Sequence, residues 1–317
     1  MRSRALGLLL GYAADRVLGD PRRFHPVAGF GQVAGRLERR VHADSRVRGA
    51  AYTLVLVGGT TAAGVLLERG TRHRPLLHTA ATATVTWAVL GGRSLDREAA
   101  AVEALVGADL PAARVRLTHL VGRDTRSLGA GDVARAVVES LAENTSDAVV
   151  APVVLGAVAG LPGLLGHRAA NTLDAMVGHR TRRHERFGWA SARLDDLANL
   201  PGARMTAALA VLLGGRPRAA VEAWRYDARH HPSPNAGPVE AAFAGALGVR
   251  LGGSNVYGPP GEQRVEHRAE LGRGRAVGPG DIARARSLAA RVGAGALALA
   301  VAGLSVPRPT RRPRRGR

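Results

Sequence analysis

One run of carboxylates in this sequence has the spacing of side chains that share a helix face. Glu139 and Glu143 are four residues apart, and Asp147 follows at the same interval, directly before an apolar segment. Like charges at this spacing repel each other, and uncompensated acids are costly beside an apolar segment. Magnesium, which prefers carboxylate, phosphate and water oxygens, is therefore the partner that this pattern favours. The alternative is a solvated helix end in which Asn144 to Asp147 cap the next helix.

A second acidic group, Asp195-Asp196-x-x-Asn199, lies further along the chain. Asp195 and Asn199 are one helical turn apart, which suits a metal-bound diphosphate. Neighbouring arginines such as Arg193 strengthen this weak signal, because guanidinium groups hold phosphate in a bidentate manner. The predicted magnesium ligands are Glu143, Asp147, Asp195 and Asp196.

Paired histidines mark a third polar segment. No further His or Cys follows His230 and His231 at zinc-ligand spacing. Phosphate contact or acid–base work suits His231 better, because an imidazole titrates near neutral pH. The Gly252-Gly253-Ser254-Asn255 loop could bring backbone N–H groups to an anion. No Walker loop occurs, so a nucleotide site would be unconventional.

Polar residues also cluster near the start of the chain. Asp15 leads to Gly19-Asp20-Pro21 and then to His25, and either a simple polar turn or a functional loop explains them. The predicted catalytic residues of the whole chain are His231, Glu143 and Asp196. The predicted substrate- or phosphate-binding residues are Asp20, His25, Arg123, Asp124, Thr125, Asn144, Asn171, Asp174, Arg193, Asn199, Ser233, Asn235, Glu240 and Asn255.

Composition limits the partners. The formal charge is +20 and every one of the 45 basic residues is arginine, a bias typical of a GC-rich genome combined with basic loops beside a membrane. Anionic substrates also fit this charge, but no nucleic-acid recognition motif occurs, so we expect no nucleic-acid partner. The chain has no cysteine, which excludes disulfides, thiolate catalysis and cysteine-ligated metals.

Apolar blocks must position these residues. A bilayer needs about 20 apolar helical residues, and segments 50–67, 76–92 and 288–304 predict spans. Segment 148–166 is long enough but carries Pro152 and Pro162, so it either crosses or re-enters. Segments 203–215 and 5–14 are short, and we interpret 5–14 as a half-buried helix leading into the first loop rather than a signal peptide. The sequence thus predicts an all-α, polytopic integral membrane protein with polar motif-bearing loops.

The hairpin of 50–67 and 76–92 returns residues 15–49 and 93–147 to one face. We expect all motif segments to share that face, on the cytoplasmic side of the cell membrane. Residues 1–306 are predicted to form one membrane-embedded catalytic domain, and residues 307–317 a basic disordered tail.

Seven motifs, in this order, resemble the adenosylcobinamide-phosphate synthase family, the cobalamin proteins called CobD or CbiB. They are GDPRRFHPV, GRDT, ESLAENTSDAVVAP, NTLDAMVGHR, FGWASARLDDLAN, RHHPSPNAG and EAAFAGALGVRLGGSNVY. The chain departs from the family pattern at Pro201, at Pro238-Val239 and at His179, which affects the details of a substrate pocket rather than the resemblance.

The resemblance implies an integral membrane enzyme of cobalamin biosynthesis. Such an enzyme condenses adenosylcobyric acid with aminopropanol phosphate, or a related amino-alcohol phosphate, using ATP and magnesium. Its partners would be the corrinoid, the amino-alcohol phosphate, membrane lipid and, as an open option, other membrane enzymes of cobalamin assembly. A membrane prenyl- or phospho-transferase is the main alternative, although such enzymes usually carry two Asp-rich motifs. A transporter would predict repeated halves, which the sequence lacks.

Overall fold

Helices form most of this chain, in a computed structural model that describes residues 1–20, 25–179, 181–257 and 264–306. The helices before the first acidic run are α1 (Arg2–Leu18), α2 (Pro26–Val41), α3 (Arg46–Thr71), α4 (Pro75–Val89), α5 (Gly92–Val106) and α6 (Leu110–Leu117). The later helices are α7 (Ala130–Thr145), α8 (Ala151–Ala159), α9 (Leu161–Val177), α10 (Trp189–Leu213), α11 (Pro217–Tyr226), α12 (Ala236–Leu247) and α13 (Asp281–Ser305). The predicted tail at 307–317, residues 21–24 and residue 180 lie outside the described residues.

Among the described residues, three helical runs are long and apolar enough to cross a membrane: Arg46–Thr71, Ala130–Ala159 and Asp281–Ser305. The first and third contain the predicted spans 50–67 and 288–304. The predicted span 76–92 falls mainly on α4, which has 15 residues and is not among the three. The opening segment 5–14 lies within α1, which does lead into the loop at Gly19.

Of the two alternatives for 148–166, the structure agrees with re-entry, because the segment is not one continuous helix. A π-helical turn at Ser146–Val150 joins α7 to α8, and α8 ends at Gly160, whose φ of 72° suits glycine. Pro162 then lies in the first turn of α9, where its fixed φ favours a helix start. The chain therefore reverses at Gly160, and α9 packs back against α8.

This reversal puts the motif segments at one end of the apolar helices. Away from the motifs, Glu68 near the end of α3 accepts hydrogen bonds from Arg4 of α1 (2.7 Å) and from the backbone N–H of Leu161 (3.0 Å), and it lies 3.1 Å from His78 of α4. At the other end, Asp15 accepts a hydrogen bond from the backbone N–H of Arg93 (3.2 Å). Because α8 runs away from the acidic residues and α9 runs back to them, the second acidic group returns to the first. The structure thus agrees with a shared end for the motifs; the cellular side of that end stays a prediction.

Helix α1 packs closely on α4 through two glycines one turn apart. A Cβ atom at Gly11 would lie 2.5 Å from Thr86 Cβ and 2.6 Å from the carbonyl oxygen of Ala83, and Gly7 meets Thr82 in the same way. Small residues at this spacing let helix backbones approach each other, as in membrane helix pairs.

The all-α prediction is wrong for three short strands near the end of the chain. Strands β1 (Val249–Tyr257), β2 (Arg264–Leu271) and β3 (Arg275–Ala276) form a sheet of order β2-β1-β3, with β1 antiparallel to β2 and parallel to β3. The Gly252-Gly253 pair, predicted as a loop, is instead an irregularity inside β1, where both glycines have positive φ. The sheet packs on the fully buried α12, beside the main core formed by α5 to α7 and α10 to α13.

Candidate active site

The first acidic run lies on a helix, as its four-residue spacing predicts. Glu139 and Glu143 belong to α7, and Asp147 lies in the π-helical turn that follows. Such π turns inside α-helices occur frequently at functional sites. Solvent reaches the Glu143 side chain although protein atoms surround it closely, a combination expected on the wall of a cleft.

Carboxylates from α9 and α10 face this run. Asp147 interacts electrostatically with Glu143, Asp195 and Asp174. Burial, and then the Asp174 charge, raise the pKa of Asp195 to about 7, while the side-chain amides of Asn171 and Asn199 oppose the shift. Burial likewise raises the pKa of Asp174 to about 6, against the opposing charge of His179. Four elements thus contribute acids to one acidic centre, which comprises Glu143, Asp147, Asp174, Asp195 and Asp196.

The acidic centre has the donor atoms that magnesium prefers. The Oδ1 atom of Asp195 is buried and has no hydrogen-bond partner among the described residues. Within the described ranges, however, no three His, Asp or Glu side chains are close enough to hold a metal ion by themselves. Magnesium often binds through one or two carboxylates, waters and substrate phosphates rather than through an all-protein cage. The donor set therefore fits a magnesium site that the substrate completes, and the four predicted ligands stay a prediction.

Amide and imidazole groups fix the helices around this centre. The Nε2 atom of His167 lies 2.8 Å from Asn199 Oδ1, and Asn235 Nδ2 donates to the carbonyl oxygen of Asp196 at 2.7 Å. Burial lowers the pKa of His167 to about 4, so its ring is neutral near pH 7 and donates from Nε2. Its Nδ1 atom and Asn199 Nδ2 then lack partners in the described part of the chain.

A second group of side chains, which includes Arg123 and Glu139, also interacts electrostatically with Glu143. Arg123 donates to Glu139 Oε2 at 2.6 Å and to Asn255 Oδ1 at 2.5 Å. Glu139 Oε1 also accepts from the backbone N–H of Gly252 (2.9 Å) and from Arg135 (3.2 Å). The Glu139–Arg123 pair is almost completely buried, and it joins α7 to the strand β1.

His231 and Glu240 form a buried pair beside this group. The backbone N–H of Ser233 donates to His231 Nδ1 at 3.1 Å, so the neutral ring carries its proton on Nε2. That atom lies 3.8 Å from Glu240 Oε1, and neither atom has a hydrogen-bond partner among the described residues. Burial lowers the pKa of His231, and burial together with Glu139 and Glu143 raises the pKa of Glu240 well above its usual range. Both shifts favour the uncharged form of the group, and one polar atom of a ligand could lie between them.

Comparison with known proteins gives a family match for most of the chain. The family described as CobD/Cbib protein matches residues 8–289. The chain is 50% identical over 306 residues to a Mycobacterium tuberculosis protein named cobalamin biosynthesis protein CobD, covering 95% of this chain and 96% of the relative. Proteins of the same name from Geobacter metallireducens (45% identity; 79% and 82% covered) and Rhodobacter capsulatus (41%; 91% and 93%) are also similar.

The chain belongs to the CobD/CbiB family. Its role therefore lies in cobalamin biosynthesis, as the resemblance of the seven motifs implies. No solved structure matches it.

Several of the predicted site residues of this family member have local structural partners. His25 Nδ1 accepts from Val27 N–H and caps α2, while its Nε2 lies 3.7 Å from Asp20. The Ser233 hydroxyl accepts from Asn235 and Ala236 N–H groups at the start of α12. Asp124 bonds Arg126, and Asn144 bonds Ser140. Arg193, which is exposed, lies 3.7 Å from the partly exposed Asp196. Thr125 is buried. Their roles toward a substrate stay predictions.

Sequence reasoning missed three arginines of this site. Arg268 on β2 interacts electrostatically with Glu143, Glu240 and His231, and it donates to Tyr257 Oη at 3.0 Å. Arg135 bonds Glu139, and Arg168 on α9 lies beside the acidic centre. Arg268 follows the last recognised motif, and Arg168 lies just beyond an apolar segment, so neither belonged to a pattern that indicated a site. Arg135 was detectable, because it precedes Glu139 by one helical turn.

Proposed function

We propose that this CobD/CbiB family member is a membrane enzyme that condenses adenosylcobyric acid with aminopropanol phosphate, or a related amino-alcohol phosphate, at the expense of ATP. The product is adenosylcobinamide phosphate. The observation that carries the proposal is the meeting of acids from α7, the π-helical turn, α9 and α10 at one cleft, where Arg268 and Arg123 also act on Glu143, in a family of cobalamin biosynthesis.

The chemistry needs both sides of this cleft. A free carboxylate resists attack by an amine, whereas transfer of the ATP γ-phosphoryl group to it gives an acyl phosphate with a good leaving group. The amine then attacks the carbonyl carbon, phosphate departs, and the amine proton passes to a base. Magnesium, when bound at the acidic centre, would neutralise phosphate charge and orient the phosphates.

The solvent exposure and the neighbours of each side chain indicate which step of the reaction it could assist. Glu143 and Asp196 are solvent-accessible carboxylates, and either could accept the amine proton. His231, with its proton on Nε2, is suited to donate a hydrogen bond to a phosphate oxygen or to the carbonyl oxygen as charge develops there. Arg268 supplies positive charge beside Glu240 and Glu143.

Three long apolar helices and exposed side chains such as Leu54, Val55 and Leu66 on α3 support a location in the cell membrane. ATP is a cytoplasmic substrate, so we place the cleft on the cytoplasmic side.

The test uses the detergent-purified protein, with corrinoid binding read by visible absorbance and the amide product by mass spectrometry. We expect product only with ATP, and a lower rate with retained corrinoid binding for His231→Ala. Conversion that proceeds equally well without any nucleoside triphosphate would refute the ATP-dependent step while leaving family membership intact.

A further inference from the structure

Arg168 differs from the other arginines around the cleft because its guanidinium has no hydrogen-bond acceptor among the described residues. Arg123 and Arg135 bond Glu139, Arg268 bonds Tyr257 and Glu266, and Arg204 donates to the carbonyl oxygen of Pro234 at 2.7 Å. Arg168 makes no side-chain hydrogen bond to any residue in the described ranges, and its Nε atom is fully enclosed without an acceptor. A buried donor without a partner costs about 1–3 kcal/mol, so natural structures almost always provide an acceptor.

The position of Arg168 points to that acceptor. Arg168, Asn171 and Asp174 recur every three residues, so they line one side of α9 and reach the acidic centre from the same helix. Burial lowers the pKa of Arg168, and the charges of Asp20 and Asp147 oppose that shift. The guanidinium thus lies within electrostatic reach of two carboxylates from two other motif segments but is hydrogen-bonded to neither.

Other buried polar atoms nearby also lack a hydrogen-bond partner among the described residues. The buried polar atoms without a partner in the described chain include Ser146 Oγ of the π-helical turn, Asp195 Oδ1 of α10, and His167 Nδ1 and Asn199 Nδ2. These atoms belong to the π-helical turn, α9 and α10, which also carry acids of the centre, and a ligand with several polar oxygens could bond to them.

We propose that Arg168 binds a phosphate group of a substrate at the inner end of this cleft. The planar guanidinium matches phosphate with parallel N–H donors, and carboxylates beside it are suited to a divalent cation that accompanies the phosphate. This inference rests on the proposed function for the identity of the substrate, which is either the nucleotide or the amino-alcohol phosphate.

The experiment compares the full-length, detergent-purified wild type with Arg168→Gln and Arg168→Lys. The control is Arg69→Gln, which removes an exposed arginine near the C-terminal end of α3, the end that lies away from the motifs. Calorimetry with magnesium present measures binding of a non-hydrolysable ATP analogue and, separately, of aminopropanol phosphate, and visible absorbance measures corrinoid binding.

We expect Arg168→Gln to weaken binding of one of the two phosphate ligands by roughly 10- to 100-fold, the range for a charge-assisted bidentate contact. Arg168→Lys should lie between wild type and Arg168→Gln because lysine keeps the charge but loses the fork. The weakened ligand identifies the source of the phosphate, and corrinoid binding and the control should not change.

Unchanged affinity for both phosphate ligands in a folded Arg168→Gln protein overturns the proposal. If Arg168→Gln and Arg168→Lys both lose thermal stability and lose affinity for all three ligands to the same extent, Arg168 has a structural role and the proposal is also overturned. Arg168-dependent phosphate binding in a wild type that forms no amide would instead reject the proposed reaction and keep the site.

Discussion

The buried Glu139–Arg123 ion pair gives the sharpest test of how the cleft is held together. Glu139 accepts from Arg123 at 2.6 Å, from Gly252 N–H at 2.9 Å and from Arg135 at 3.2 Å, and the side chains of Glu139 and Arg123 are only 3% and 6% exposed. Removing one partner of a buried pair leaves the other charge uncompensated, which costs about 3–5 kcal/mol. We expect Glu139→Ala to lower the free energy of unfolding by that amount.

The assay is denaturant unfolding in detergent micelles, with a double-mutant cycle of Glu139→Ala and Arg123→Ala. Because both single variants strand a charge, the double variant should lose clearly less than their sum. Arg97→Ala is the control: Arg97 lies 3.6 Å from Glu98 and is 54% exposed, so it should cost less than about 1 kcal/mol. If Glu139→Ala is no more destabilising than Arg97→Ala, the pair does not anchor the β1 strand as we infer.

Three further predictions follow from packing, topology and burial. Gly11→Ala should destabilise the protein by about 1–3 kcal/mol in the same unfolding assay, because its Cβ would clash with α4, whereas Gly59→Ala meets no atom within 4 Å and should not destabilise it. Single cysteines at Ser127 and at Arg182, near the cleft, should resist an impermeant thiol reagent in intact cells, whereas a cysteine at His73, between α3 and α4, should react; the opposite pattern would put the cleft outside. The folded-state pKa of Asp195 is raised from 3.8 to about 7, so this carboxyl group opposes folding increasingly as the pH rises through that interval. Without magnesium, Asp195→Asn should therefore be more stable than wild type at pH 8 and equal to it at pH 4, and equal stability at both pH values would contradict the burial argument.

Apolar length and motif order could be predicted from the sequence because each depends on local residues. Segments 50–67 and 288–304 lie on helices that could cross a membrane, and the seven motifs identified the family. The helical spacing of Glu139 to Asp147 and of Asp195 to Asn199 also predicted their places correctly. The general prediction that the motifs lie on loops was less accurate, because many of them lie on helices.

Features that depend on long-range contacts could not be predicted in this way. The reversal at Gly160 requires a positive φ and the contact of α9 with α8, so the sequence left crossing and re-entry of 148–166 as alternatives. The strand β1 contains two adjacent glycines that normally indicate a loop, and it is stable because it pairs with β2 and packs on α12. Arg123 was predicted as a phosphate ligand. Its hydrogen bonds to Glu139 and Asn255 could not be predicted, because these partners are distant in sequence.

Oxygen transfer tests the central claim, ATP-dependent activation of a corrinoid carboxylate, most directly. The substrate is adenosylcobyric acid with ¹⁸O in the reacting carboxyl group, incubated with the purified protein, magnesium, ATP and aminopropanol phosphate. Attack of the carboxylate on the γ-phosphorus and later expulsion of phosphate by the amine carry one labelled oxygen into inorganic phosphate. We predict one labelled phosphate for each amide formed. Amide formation with the label in AMP or only in water, or at the same rate without ATP, would contradict the account.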